Sequence, residues 1–261
     1  VKWFIPLLFF VLAFQARGAL TVTDRGSATG SVSNTSIAFS PTSTIVSGTL
    51  GVYLISCKNT GLNGSTKIFP SSFNDSVSNT WTLQIDTIFD PGAAGAGIEI
   101  AIYTAPILTQ VTSSNNLTLT VSTAATGRTM SCYEVSGLGG APTYVASGSP
   151  SDLATTGQIS TAPTSGTTAS LNSGDVVICV AGQSSNNPWS SGATDTTNGT
   201  WSSLLELGQS SSTHRQGRQY KIVTGAGTQT WNTTLASSAT WHAAWLQAKE
   251  AASANTTNGF F

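Results

Sequence analysis

The sequence predicts an all-β protein, an antiparallel β-sandwich of jelly-roll or immunoglobulin-like type built from two pseudo-repeated halves. Three observations lead there. The 261 residues include 8% charged, 39% hydrophobic and 77 Ser or Thr. Strands that turn Thr or Ser outward and Val, Ile or Leu inward have this composition, and the apolar share is large enough for a core. Short apolar runs rich in β-branched residues, each opened by Gly and polar turn residues, recur along the chain and read as buried strands. Finally, these runs occur twice in one order.

The repeat centres on two anchors. Asp75–Ile85 reads DSVSNTWTLQI and Asp195–Leu205 reads DTTNGTWSSLL, each with a Trp six residues after an acid. Ahead of them stand Gly48–Cys57 (GTLGVYLISC) and Asn172–Ala181 (NSGDVVICVA). Behind them come Ile98–Thr104 with Arg218–Thr224, then Leu117–Ser122 with Thr228–Leu235, then Met130–Val135 with Trp241–Ala248. Offsets of 122 for Cys57/Cys179, 120 for Trp81/Trp201 and 117 for Tyr103/Tyr220 are nearly constant. So long a period is no solenoid unit; it describes two halves, about 48–140 and 175–249, of one domain over 19–250.

Taken from the start, residues 1–18 form a separate object. Lys2, the apolar run Trp3–Phe14 and the small-x-small site Ala16-Arg17-Gly18 read as a secretory signal, or else as a hydrophobic N-terminal arm. Residues 19–47 suggest edge strands, including Ser36–Phe39. Between the halves, Ala141–Ser173 is rich in Gly, Ser, Thr and Pro, with short-strand positions at Tyr144–Ala146 and Leu171. Thr240–Ala252 has the Ala content of a helix, but its counterpart Met130–Val135 reads as a strand. The repeat therefore predicts a strand at Trp241–Ala248. The tail 251–261 lacks strand periodicity.

Without Lys2 and Arg17 the balance is 8 basic to 11 acidic groups. With no basic patch, nucleic acid and anionic membrane are poor partners. Export is the expected localisation. Cys57, Cys132 and Cys179 sit in apolar runs without metal-ligand spacing. They are read as buried thiols, with a Cys57–Cys132 disulfide as the alternative.

The succession NTW, IAIYTAPI, LTLTVS, SCYEVSGLGGAP, SGDVVICVAG and WHAAWLQAKE, over residues 45–250, resembles a loosely defined family of duplicated β-sandwiches. Its members are mostly uncharacterised secreted bacterial proteins and phage structural proteins. The resemblance implies a packing scaffold and carries no catalytic residues across. Members more usually lack cysteines, and this chain departs from them there.

Few residues advertise chemistry. His214, in a polar stretch, reads as a loop surface residue, and His242, beside Trp241, as a strand residue. Neither falls in a spacing that fixes a zinc site or a catalytic triad. Asp75 and Asp195 precede turns that an Asp side chain holds by accepting backbone N–H bonds; a Ca²⁺ site is the functional alternative. Trp81 and Trp201 are read as core anchors. Trp189, without a repeat partner in SNNPWSSG, is the aromatic expected to be exposed and to touch a ligand. No cofactor or metal is expected. The expected function is a non-catalytic structural or adhesive subunit of a cell surface or virion, whose partners are its own copies or other surface proteins. The alternative is a carbohydrate-binding module using exposed aromatics.

Overall fold

The computed structural model describes residues 19–30, 34–59, 67–89, 91, 97–138, 143–148, 159–209 and 214–249. Segment 1–18 and tail 251–261 lie outside them. Seventeen strands and no helix occur among the described residues. They are β1 (Thr21–Gly30), β2 (Asn34–Phe39), β3 (Leu50–Asn59), β4 (Ser72–Asn74), β5 (Thr80–Phe89), β6 (Gly97–Pro106), β7 (Leu117–Ser136) and β8 (Thr143–Gly148). The second run has β9 (Ile159–Ser160), β10 (Thr164–Thr167), β11 (Val176–Gln183), β12 (Trp189–Ser191), β13 (Leu205–Gln209), β14 (His214–Ile222), β15 (Thr230–Asn232), β16 (Thr234–Leu235) and β17 (Ala239–Lys249).

Pairing is antiparallel throughout. One sheet runs β1-β7-β3-β6-β5-β4, with β2 added on β7; the other runs β13-β14-β11-β17-β8, with β9 added on β17. Two small ladders, β10-β15 and β12-β16, belong to the second half. The strand at Trp241–Ala248 is present as β17, so the repeat outweighed the local helix propensity.

Alternation explains why the central strands read as continuous apolar runs. Along β3, Leu50, Val52 and Leu54 join a core shared by both sheets, together with Val176, Ile178 and Val180 of β11. Tyr53, Ile55 and Cys57 point the other way, into a core closed by Ile37, Phe39, Ile68 and Trp81. The opposite face of β11, carrying Val177, Cys179 and Ala181, is closed by Trp189, Trp201 and Trp231. The central strands β3 and β11 thus bury both faces, which is why each reads as a nearly continuous apolar run.

Two expectations change. Leu117–Ser122 and Met130–Val135 are parts of one strand, β7. Gly127, with φ +65°, and the register shift opposite Cys57/Lys58 bend it, so its first part pairs β2 and its second part pairs β1 and β3. The Cys57–Cys132 disulfide does not form: all three cysteines are free and buried. Cys132 lies opposite Tyr53 in the β3–β7 ladder, four residues from Cys57. At about 3.3 Å per residue, roughly 13 Å separates the two, beyond the reach of a disulfide.

Candidate functional site

Asp75 is a turn anchor, as its position before DSVSN suggests. Its Oδ1 accepts from the backbone N–H of Val77 (3.0 Å) and Asn79 (2.9 Å). Oδ2 accepts from Asn79 Nδ2 (2.8 Å) and from the Trp81 indole Nε1 (3.1 Å). Asn79 Oδ1 in turn takes the N–H groups of Leu108 and Thr109, which ties Trp81 to the loop after β6. Every bond offered to Asp75 is an N–H donor, which fits a structural anchor rather than a Ca²⁺ ligand.

Asp195 opens the same turn but serves a different partner. Ser78 and Asn198, each three residues after its Asp, both take positive φ (69° and 57°). Asp195 Oδ1 accepts from Thr197 N at 3.0 Å, while Oδ2 pairs with Lys221 Nζ at 3.0 Å. The Thr197 N–H, then Lys221, hold its carboxyl below the usual range. Lys221 is fully buried, donates also to Thr197 O and Gln229 Oε1 at 2.7 Å each, and lies 5.3 Å from the centre of the Trp201 ring. Its ammonium fills the place a metal would need. The indole N–H of Trp201 meets no acceptor among the described residues.

Trp189 requires a correction. It lies in β12 rather than in a loop, is 6% exposed, and its Nε1 donates to Thr233 Oγ1 at 3.1 Å. Gly217 leaves room for the ring, since a Cβ there would stand 2.8 Å from Trp189 Cε2. Trp189→Ala is therefore expected to destabilise the fold by about 3 kcal/mol, as deletion of a core aromatic does. Urea unfolding checks this, and an unchanged midpoint would return Trp189 to the surface.

His242 lies on a strand as expected, whereas His214 sits elsewhere than the surface loop expected of it. His214 begins β14 and, like His242 on β17, is fully buried between the two central sheets. His214 Nε2 lies 3.0 Å from Ser56 Oγ, and His242 Nε2 lies 2.7 Å from Thr87 Oγ1. Burial pushes His214 down to about 4 and His242 to about 3, so both are neutral at neutral pH. Ser56–His214 has the distance of a nucleophile and its base. It is enclosed by packed strands, however, and a substrate has no path to it.

One titratable cluster escaped the sequence reading. Asp86 on β5 and Glu99 on β6 share the outer face of the first sheet, where Glu99 pairs across with Cys57. Glu99 Oε1 accepts from Ile68 N at 2.9 Å, while Glu99 Oε2 and Asp86 Oδ1 are buried and meet no hydrogen-bond partner among the described residues. Burial, then the Asp86 charge, pushes Glu99 up to about 9. The visible signal was a lone acid inside an apolar run, GIEIAIYT, in a chain poor in charge.

Two shallow grooves complete the picture. The larger, about 340 Å³, lies between Gly192–Thr194 and Thr200–Ser203, with Gln219 at its floor. In the first half the corresponding segments zip together as β4 and β5, with Phe73 opposite Trp81. Here the Gln219 amide stands between them, bonding Ala193 N, Ala193 O and Ser202 O. The other groove, about 300 Å³, runs between Lys67–Pro70 and Thr120–Ser122. No group of three or more His, Cys, Asp or Glu side chains placed to hold a metal occurs among the described residues. Compared with known protein families, with curated proteins and with solved structures, the chain finds no match.

Proposed function

We propose that this chain is a non-catalytic structural or adhesive subunit, exported and displayed on a cell surface or virion. Its fold is a duplicated β-sandwich of jelly-roll or immunoglobulin-like type, of the kind its motifs resemble in secreted bacterial and phage structural proteins. One observation carries the reading: the groups able to do chemistry are spent inside the packing. Both histidines, Glu99, Lys221 and Asp75 are buried, and each bonds a neighbouring strand or loop. Meanwhile β1 and β13 end their ladders on the same flank of the molecule, which gives two neighbouring strand edges. Such edges recruit further chains, either copies of this one or other surface proteins.

The carbohydrate-binding reading loses its support, because sugar recognition by stacking needs an open ring face. Trp81, Trp189, Trp201, Trp231, Trp241 and Trp245 are all buried. The test joins light scattering after size-exclusion chromatography with a glycan array. Concentration-dependent assembly and a blank array are expected of residues 19–261. A strict monomer that binds a defined glycan would replace the structural reading.

A further inference from the structure

The two central sheets carry one strand order, β1-β7-β3-β6-β5 in the first and β8-β17-β11-β14-β13 in the second. Their register can be matched residue by residue from one turn. Gly48 and Gly174 both take positive φ, and they donate to Ile107 O and Val223 O respectively. Two residues later Leu50 stands between Pro106 and Val135, and Val176 between Ile222 and Ala248. Six further on, Ser56 stands between Ile100 and Thr129, and Gly182 between Gln216 and His242. Ser56 therefore matches Gly182, Ile100 matches Gln216, and Thr129 matches His242. By the same count Ile98 matches His214, Ile102 matches Arg218, Ser131 matches Ala244, and Tyr133 matches Leu246.

Face to face, the sheets run in opposite order. β3 lies on β11, β7 on β14, β6 on β17 and β1 on β13. A twofold operation relating the halves produces this arrangement, and it requires that a residue on the axis meet its own match. Ser56 does: a Cβ on Gly182 would stand 1.9 Å from Ser56 Oγ. Away from the axis, contacts come in matched pairs. His214 touches Ser56, and its match Ile98 touches Gly182, with Cγ2 3.0 Å from where a Cβ would stand.

The chemistry on the two sides of this axis differs. On the β7–β14 side, Ser131 donates to Gln216 at 2.8 Å, and Arg218 lies over the Tyr133 ring and pairs with Asp24 at 3.1 Å. The matching β6–β17 positions are Ile100 with Ala244 and Ile102 with Leu246, all in the shared apolar core. Thr87–His242, the polar pair on that side, also joins unlike halves.

We infer that the inner face of each half is a docking surface specific for the other half: a first-half face takes a second-half face, and neither takes a copy of itself. Two second-half faces would bury Gln216 and Arg218 against Ala244 and Leu246, with no Ser131 or Asp24 to meet them. Two first-half faces would bury Ser131 and Tyr133 against Ile100 and Ile102. Buried polar groups without partners penalise both like pairs, while the unlike pair supplies Ser131 to Gln216 Oε1 and Asp24 to Arg218 Nη2. The partner is the opposite face whether it comes from the same chain or from a second copy, and this holds whether or not the chain assembles further.

A protease site inserted between Leu138 and Thr143 in the full chain, cut after folding, tests the inference. The cut halves are expected to co-elute as a one-to-one pair at the mass of the uncut chain. When the cut pair is denatured and refolded over a range of concentrations, mixed pairs alone should re-form. Halves that separate on cutting, or homodimers of either half among the refolded pairs, would overturn it. In the uncut chain, Ser131→Ala and Gln216→Ile together recreate the apolar pair found across the axis. Each alone is expected to lower Tm, and the double variant to regain at least half of the summed loss. Strictly additive losses would show that these residues do not pair across the interface, which also overturns it.

Discussion

Trp81→Ala is expected to cost about 3–5 kcal/mol, the range for deleting a core aromatic, and to unfold a marginal chain outright. Trp81 is fully buried, stacks on Phe73 at 6.1 Å and 7°, and meets Tyr53 edge-on at 6.1 Å. Gly51 passes so close beneath it that a Cβ would stand 2.4 Å from the ring. Removing the ring opens a cavity in the outer core and leaves Asp75 Oδ2 without its indole donor. Its match in the second half behaves differently under a milder change. Trp81→Phe keeps most of the volume but breaks the bond to Asp75, a loss of about 1–3 kcal/mol for a bond to a buried charge. Trp201→Phe breaks none, because the Trp201 N–H has no acceptor among the described residues. Urea midpoints of the two Phe variants decide the matter. Equal losses would contradict the different roles assigned to Asp75 and Asp195.

Stability is expected to peak near pH 6.5 and to fall by about 2 kcal/mol towards pH 4.5 and by about 3 kcal/mol towards pH 9. The two histidines are held at about 4 and 3 when folded. Unfolded, they take up protons near 6.5, so the unfolded chain binds more protons below that value and stability drops with falling pH. Glu99 acts in the opposite sense. Its folded value of about 9 keeps it protonated where the unfolded chain ionises, so its contribution is complete below about 4.5 and is lost as pH rises to 9. Between 4.5 and 6.5 the two histidines outweigh Glu99, and above 6.5 Glu99 sets the slope, with Asp86 beside it raised in the same direction by burial. Unfolding midpoints across this range should be dome-shaped, with Glu99→Gln flattening the alkaline limb and His242→Leu the acid one. A profile flat from pH 4.5 to 9 would sink the assignment.

Strand class, the turn at each Asp and the core placement of Trp81 and Trp201 were legible in the sequence. Apolar alternation and the spacing of turn residues are local properties, and a strand buried on both faces leaves a continuous apolar run. The duplication was legible too, but its register was not. Tyr103 points into the outer core with Trp81, whereas Tyr220 points inward and meets Tyr133 edge-on at 5.8 Å. The residue that matches Tyr103 is Gln219. An offset wrong by one residue moves a side chain to the opposite face of a sheet, and equal letters at nearly equal spacing do not reveal the slip. Burial of polar residues lay further out of reach. His214, Lys221 and Trp189 follow or sit within polar stretches, which read as loops. Only elements brought together from far apart in the chain enclose them: the first sheet against His214, and the ladders and loops covering the second sheet around Lys221 and Trp189. The tertiary structure likewise decided that Ser56 meets His214 and Ser131 meets Gln216, because these pairs exist only once two matched faces are set against each other in opposite order.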